Sequence, residues 1–282
     1  CGSYALTLDY ARLHKARRGY GYPGLSTHTL NQPLPSSDGI WLVPIRPNLP
    51  AKHPAALPNL LSTPVLVLST ATLHAAQPNK ACASGYHWFN HVQFAPSGKR
   101  FSFFHRCSPG KKTRLFVSSA PKLGKPGQPP PVVHASALEL AAGAELACSH
   151  YDWRNNDEIV SAGIKGWFVL KRDAVTHRWS SRPIFPVKEN GHATWLLPQP
   201  SPWLISDTAD SRQLFLFNVE SGMRVNMHAF QSPQTMRIGE LRLDLHPRGS
   251  PSGKLVSFDA CDDTHGCQLF VMRLNASTMS PS

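Results

Sequence analysis

One stretch recurs with variations along the chain, and repetition constrains a fold more tightly than any local preference. Its clearest form is His91–Arg106, HVQFAPSGKRFSFFHR. It reads as a strand, a tight turn at Ala95-Pro96-Ser97-Gly98 and a second strand, with His91 and His105 near its two ends. Looser copies open at His150 (HYDWRNNDEIVSAG), His192 (HATWLLPQPSPWLISD) and His246 (HPRGSPSGKLVSFDA). The copies lead on to aromatic-rich strands, LFVSS, WFVLK, LFLFN and LFVMR. Antiparallel units of three or four short strands at this spacing are the pattern of propeller blades. The expectation is an all-β chain, a β-propeller of four-stranded antiparallel blades with about five blades visible. A β-sandwich is the structural alternative, but it leaves the recurring turn and aromatic strand unexplained.

Taken in order, SYALTLDY at residues 3–10 alternates as a strand. The Gly- and Tyr-containing basic stretch after it, up to Gly24, reads as a loop. IWLVPI is a second strand, and Val65–Leu68 a third with a short helical turn behind it. Thr113–Ser119 continues the unit of His91. Residues 120–136 contain PGQPPP and read as an exposed loop, and Ala137–Ala147 as a short helix. Further strands are expected at Ile159–Ala162, GWFVLKRD, Trp203–Asp207, QLFLFN, Lys254–Asp259 and QLFVMRL. The 282 residues are long enough for a sizeable core and are read as one propeller domain, 1–282.

The chain carries a formal charge of +12, from 29 Lys and Arg against 17 Asp and Glu. Such a field suits polyanions, acidic polysaccharide among them. No basic helix interleaved with aromatics is present, so no nucleic-acid partner is expected. No apolar run approaches the roughly 20 residues of a membrane-spanning helix. Six cysteines in a chain of this size do not make a disulfide scaffold. Cys261 and Cys267 flank His265 in CDDTHGC, which reads as a bridged hairpin, a pair of free thiols or part of a soft metal site.

Histidines at the starts of several innermost propeller strands would face a common funnel from different blades. They offer imidazoles able to act as base or metal ligand. Tyr151 adds a phenol beside His150, and Arg114 and Arg242 add fixed positive charge for carboxylates. Asp244 precedes His246 by two residues, which on a strand puts both on one face. An Asp/His pair joined by a third histidine suits Mn, Zn or Ca.

The runs NHVQFAPSGKRFSFFHR, SHYDWR, GHATW with WLISDT, and GELRLDLHPRGSPSGKLVSFDA resemble the oligogalacturonate lyase family of seven-bladed propellers, and more loosely propeller-type ulvan lyases. The opening YARLHKARRGYGYPG is similar to uncharacterised bacterial proteins of that superfamily. The resemblance implies a seven-bladed propeller of which N-terminal blades are missing here, in the cytoplasm or periplasm. It implies a lyase that cleaves uronate-containing oligosaccharides by β-elimination with manganese. His150 falls at the family's proton-abstracting histidine and Arg114 near its catalytic arginine. His192 and His246 match two manganese ligands, whereas Asp244 stands where the family has another histidine and Leu241 where it has a glutamine. For that chemistry His150 or Tyr151 is the candidate base, water, Tyr151 or His105 the proton source for the leaving oxygen, and His91 and Arg242 the candidates to hold substrate. A non-catalytic propeller that binds a protein or glycan is the alternative from a different class.

Overall fold

The structure is a computed structural model and describes residues 4–45, 63–110, 112–121, 131–164, 166–185, 191–208, 212–230, 240, 242–262 and 266–274. Two compact units make up the chain, Cys1–Gly143 and Ala144–Ser282.

Unit 1 opens with β1 (Tyr4–Leu8), α1 (Tyr10–Ala16), β2 (Gly39–Pro44), β3 (Val65–Ser69) and α2 (Thr70–Ala76). It continues with β4 (Tyr86–Phe94), β5 (Arg100–Ser108), β6 (Lys112–Ser119) and β7 (Glu139–Ala142). These strands form two antiparallel sheets in the orders β1-β2-β3 and β4-β5-β6-β7. Period-2 alternation turns Phe101 and Phe103 of β5 to one face. There they join Ile40, Leu42, Val67, Leu68 and Phe116 in a core between the two sheets. Burying each such side chain contributes about 1.5–3 kcal/mol.

Two expectations fail in this unit. The basic loop contains α1 instead, because the Asp9 carboxylate caps it, accepting from the N–H groups of Ala11 at 2.8 Å and Arg12 at 2.9 Å. The short helix expected at Ala137–Ala147 is in part β7, paired with β6 through Leu115↔Ala142 and Phe116↔Leu140. Pairing at the edge of an existing sheet outweighs the helix preference of Ala, Leu and Glu.

Unit 2 contains β8 (His150–Trp153), β9 (Glu158–Gly163), β10 (Gly166–Arg172) and β11 (Trp179–Phe185) as one sheet in the order β11-β10-β9-β8. A second sheet runs β12 (Ala193–Trp195), β13 (Trp203–Asp207), β14 (Gln213–Asn218) and β15 (Arg224–Ala229). The third is β16 (Arg248–Gly249), β17 (Leu255–Asp262) and β18 (Gly266–Arg273). Trp167, Val169, Trp195 and Phe215 fill the space between the first two sheets. Ile205, Leu216, Val256 and Phe258 fill that between the second and third.

The fold is therefore all-β, built from five antiparallel meanders of the blade type. Three of the sheets have four strands, and two show three strands among the described residues rather than four. No helix among the described residues is long and apolar enough to cross a membrane.

Cys261 and Cys267 sit opposite each other on β17 and β18 and form a disulfide, which settles the three options in favour of the bridged hairpin. His265 lies outside the described residues. A second disulfide, Cys82–Cys107, was not expected from the sequence.

Candidate functional site

The histidines of unit 2 are brought together by equivalent local devices. His150 begins β8, and its carbonyl accepts from the Ser161 hydroxyl of β9 at 2.8 Å. His192 precedes β12, and its carbonyl accepts from the Ser206 hydroxyl of β13 at 2.9 Å. The repeat thus extends to a single hydrogen bond. The imidazoles form a row, with ring centroids 4.1 Å apart for His150 and His192, and 3.8 Å for His192 and His246.

Beneath the row lies Asp207, only 2% exposed at the end of β13. Its carboxylate accepts from the backbone N–H and from Nδ1 of His192, the latter at 3.0 Å. It also accepts from the backbone N–H of His246 at 3.1 Å. Burial pushes the Asp207 carboxyl up, but the hydrogen bonds and charge of His192 and the charge of His246 outweigh it, so its pKa is lowered. Gly191 allows this close approach, because a Cβ there would collide with the Asp207 carbonyl. His246 has φ of 43°, in the left-handed region that costs a non-glycine residue about 1–2 kcal/mol. Burial lowers its pKa first and the charge of His192 lowers it further, against Asp207 and Asp244.

Asp244 completes the group. One ligand atom each from His192, Asp244 and His246 lie within 4.8 Å of one another. The shared strand face expected for Asp244 and His246 is not how they meet, since no strand covers residues 242–247. A bond between His246 Nδ1 and the Asp244 carbonyl at 3.2 Å holds them together. Both histidines therefore have Nδ1 engaged, by a carboxylate and a carbonyl, which leaves Nε2 as the nitrogen that could face a cation. Two imidazoles and a carboxylate fit a borderline divalent cation such as Mn or Zn better than Ca, which prefers oxygen ligands. Arg242 pairs with Asp244 at 2.7 Å and would have to yield it to a cation.

The remaining expected residues are placed differently. Tyr151 follows His150 on β8, so it projects to the opposite face, where it is buried. His91 does not stand at the mouth of a strand. It lies inside β4 with φ of 52°, where the pairing to β5 is irregular, and its ring is 5.3 Å from that of Phe104. His105 is fully buried. It is 0% exposed within β5, whereas a proton donor to a bound sugar needs access to it. Arg114 is also buried, and donates to the Gln77 carbonyl at 2.9 Å and to His105 Nδ1 at 3.2 Å. Leu241 lies outside the described residues.

Sequence reasoning missed Asp207, although a charge closing the buried run WLIS was a usable signal. It also missed His87, which bonds His105 at 2.9 Å. Arg12 was missed too. This guanidinium is 3% exposed and donates to Asp38 at 2.7 Å and to the carbonyls of His87, Thr29 and Gln32.

No family model matches the chain, and no curated protein matches it. Among solved structures it is similar to an oligogalacturonate lyase in complex with manganese, at 16% identity and a TM-score of 0.48, over 68% of this chain and 50% of that one. An oligogalacturonate lyase from Vibrio parahaemolyticus gives 14% identity and a TM-score of 0.46 over the same shares. The periplasmic gluconolactonase of Pseudomonas aeruginosa gives 15% and 0.41, over 84% of this chain and 63% of that one. The chain thus spans half the length of the two lyases. These likenesses assign no role to any residue.

Proposed function

We propose that the row of His150, His192 and His246 is the reaction site of a lyase acting on uronate-containing oligosaccharides by β-elimination. The observation that carries this reading is the juxtaposition of a histidine outside the ligand set, His150, with a two-histidine, one-carboxylate group anchored on Asp207. The sequence resemblance implies the same chemistry.

Elimination requires the uronate carboxylate to be neutralised so that the neighbouring C5 proton becomes acidic. A divalent cation held by His192 Nε2, His246 Nε2 and Asp244 would supply that neutralisation. Arg242, beside Asp244, adds a second positive charge for the same carboxylate. His150 is the base that removes the C5 proton, its Nδ1 lying 3.2 Å from the Ser149 hydroxyl. The C5–H electrons form the C4=C5 double bond as the C4–O bond breaks, and the departing oxygen takes a proton from water. Tyr151 is buried on the opposite face of β8 and His105 is 0% exposed within β5, so neither is assigned that proton.

The product is a 4,5-unsaturated uronate that absorbs in the near ultraviolet. The test is to incubate the full chain with pectate, ulvan or glucuronan oligomers and added Mn, Zn or Ca. H150A should abolish the absorbance while metal binding, read by calorimetry, persists. No absorbance from any of these substrates overturns the reading. The burial of His105 and Arg114, two expected catalytic residues, favours a second reading as a metal-dependent glycan-binding propeller. That reading predicts oligomer binding that H150A leaves unchanged, with no product.

A further inference from the structure

We propose that unit 1 contains a second, redox-gated metal site, in which reduction of the Cys82–Cys107 disulfide frees a Cys82, His87, His105 and Cys107 ligand set for a thiophilic divalent cation such as zinc. The proposal is independent of the lyase reading and concerns different residues.

Register creates the set. His87 on β4 pairs directly with Cys107 on β5, and His105 stands two residues before Cys107 on the same face. One ligand atom each from His87, His105 and Cys107 lie within 4.8 Å of one another. Cys82 is covalently joined to Cys107, so its sulfur stands at the same place. Two thiolates and two imidazoles form a recognised closed tetrahedral zinc set.

The hydrogen bonds fix every proton in the cluster. Arg114 can only donate, so His105 Nδ1 accepts from it and the neutral ring carries its hydrogen on Nε2. His105 Nε2 then donates to His87 Nδ1 at 2.9 Å, and His87 Nε2 donates to the Cys82 carbonyl at 3.0 Å. Two imidazole nitrogens therefore face each other across one proton. Zinc–nitrogen bonds of about 2.0–2.1 Å place two tetrahedral nitrogen ligands roughly 3.3 Å apart, so the rings need part by only a few tenths of an ångström. The Cys82 carbonyl stays on His87 Nε2–H as an outer support.

The chemistry balances with a dithiol as reductant. The disulfide gains two electrons and two protons, and the dithiol becomes a disulfide. Metal binding releases the two thiol protons to solvent. The His105 hydrogen moves from Nε2 to Nδ1, where it would oppose the guanidinium, so Arg114 leaves His105 and keeps the Gln77 carbonyl. Two thiolates cancel the charge of a divalent cation, as a site with His87, His105 and Cys107 all 0% exposed requires.

The experiment uses the full chain carrying H192A and H246A, so that the unit 2 row cannot contribute. It is titrated with Co(II) oxidised, and again after reduction with a phosphine. The expected result is one tight cobalt per reduced chain, with a thiolate charge-transfer band in the near ultraviolet, and no such band when oxidised. C107S should halve the band or more, H87Q should weaken cobalt binding at least about tenfold, and C261S should leave the band intact. A reduced chain without the band overturns the proposal. So does a band that follows Cys261 rather than Cys107, or a reduced chain that loses its sheet circular dichroism and does not regain it with cobalt.

Discussion

The two units are organised around buried charges of opposite sign. Unit 1 gathers Asp38 and backbone carbonyls around the guanidinium of Arg12, and unit 2 gathers backbone N–H groups and an imidazole around the carboxylate of Asp207. Their histidines differ accordingly. His87 and His105 of unit 1 are sealed and bonded to each other, and His105 also accepts from Arg114. Burial, and then the charges of neighbouring groups, push His105 well below the usual histidine range, and His87 is lowered to about 4. His192 and His246 of unit 2 sit on the Asp207 carboxylate at a partly exposed surface. The contrast teaches that a histidine's use is set by its outer partners: the cation hub closes a structure, while the anion hub presents ligands.

The comparison breaks first at Arg12. R12A should cost unit 1 about 3–5 kcal/mol in denaturant unfolding, because it leaves Asp38 buried and unpaired. R12K should recover less than half, since an ammonium cannot reproduce the guanidinium fork. A loss below about 1 kcal/mol would show that the hub is replaceable by water.

Asp207 gives the next largest effect. D207A orphans the N–H groups of His192 and His246, at about 1–3 kcal/mol each. It should also weaken Mn or Zn binding about 10- to 100-fold by calorimetry. Unchanged affinity with reduced stability would make Asp207 a structural residue alone.

The third prediction concerns pH in the oxidised, metal-free chain. His87 has a folded pKa of about 4 against an unfolded value of 6.5, through burial first and then the charges of His74, Arg114 and Arg12, which outweigh the Cys82 carbonyl. The unfolded state therefore binds more protons between these values, so stability is full above pH 6.5 and falls as pH drops toward about 4. H87L should flatten the pH dependence of unit 1 unfolding over that window. An unchanged slope would place the effect on other groups.

The smallest effect is expected at Arg242. Its partly exposed pair with Asp244 is worth no more than about 1 kcal/mol, so R242M should tighten metal binding up to about fivefold. Weaker binding in R242M would show that the arginine supports the site rather than competing with it.

Much of the blade pattern was legible, because alternation over β4–β6 and the recurring histidine starts are local in sequence. The histidine row was legible for the same reason. Asp207 was not, since its role depends on His246, 39 residues away, which only the assembled sheets bring to it. The burial of His105 was not legible, because the sequence shows a histidine near a strand end but not the His87 and Arg114 side chains that the neighbouring strands bring to it. The helix α1 had its signal in Asp9, a capping residue, but the glycines and tyrosines after it dominated the reading.

The Arg12 hub also bears on how unit 1 is made. Its guanidinium meets the His87 carbonyl across 75 residues of chain. At a synthesis rate of about 5–20 residues per second, that separation is roughly 4–15 s of ribosome time. Throughout that interval β1 and α1 exist, but their central charge must stay hydrated, since burying it alone is costly. Helix α1 is thus locked well after it is made, and the Arg12 hub closes only when β4 arrives.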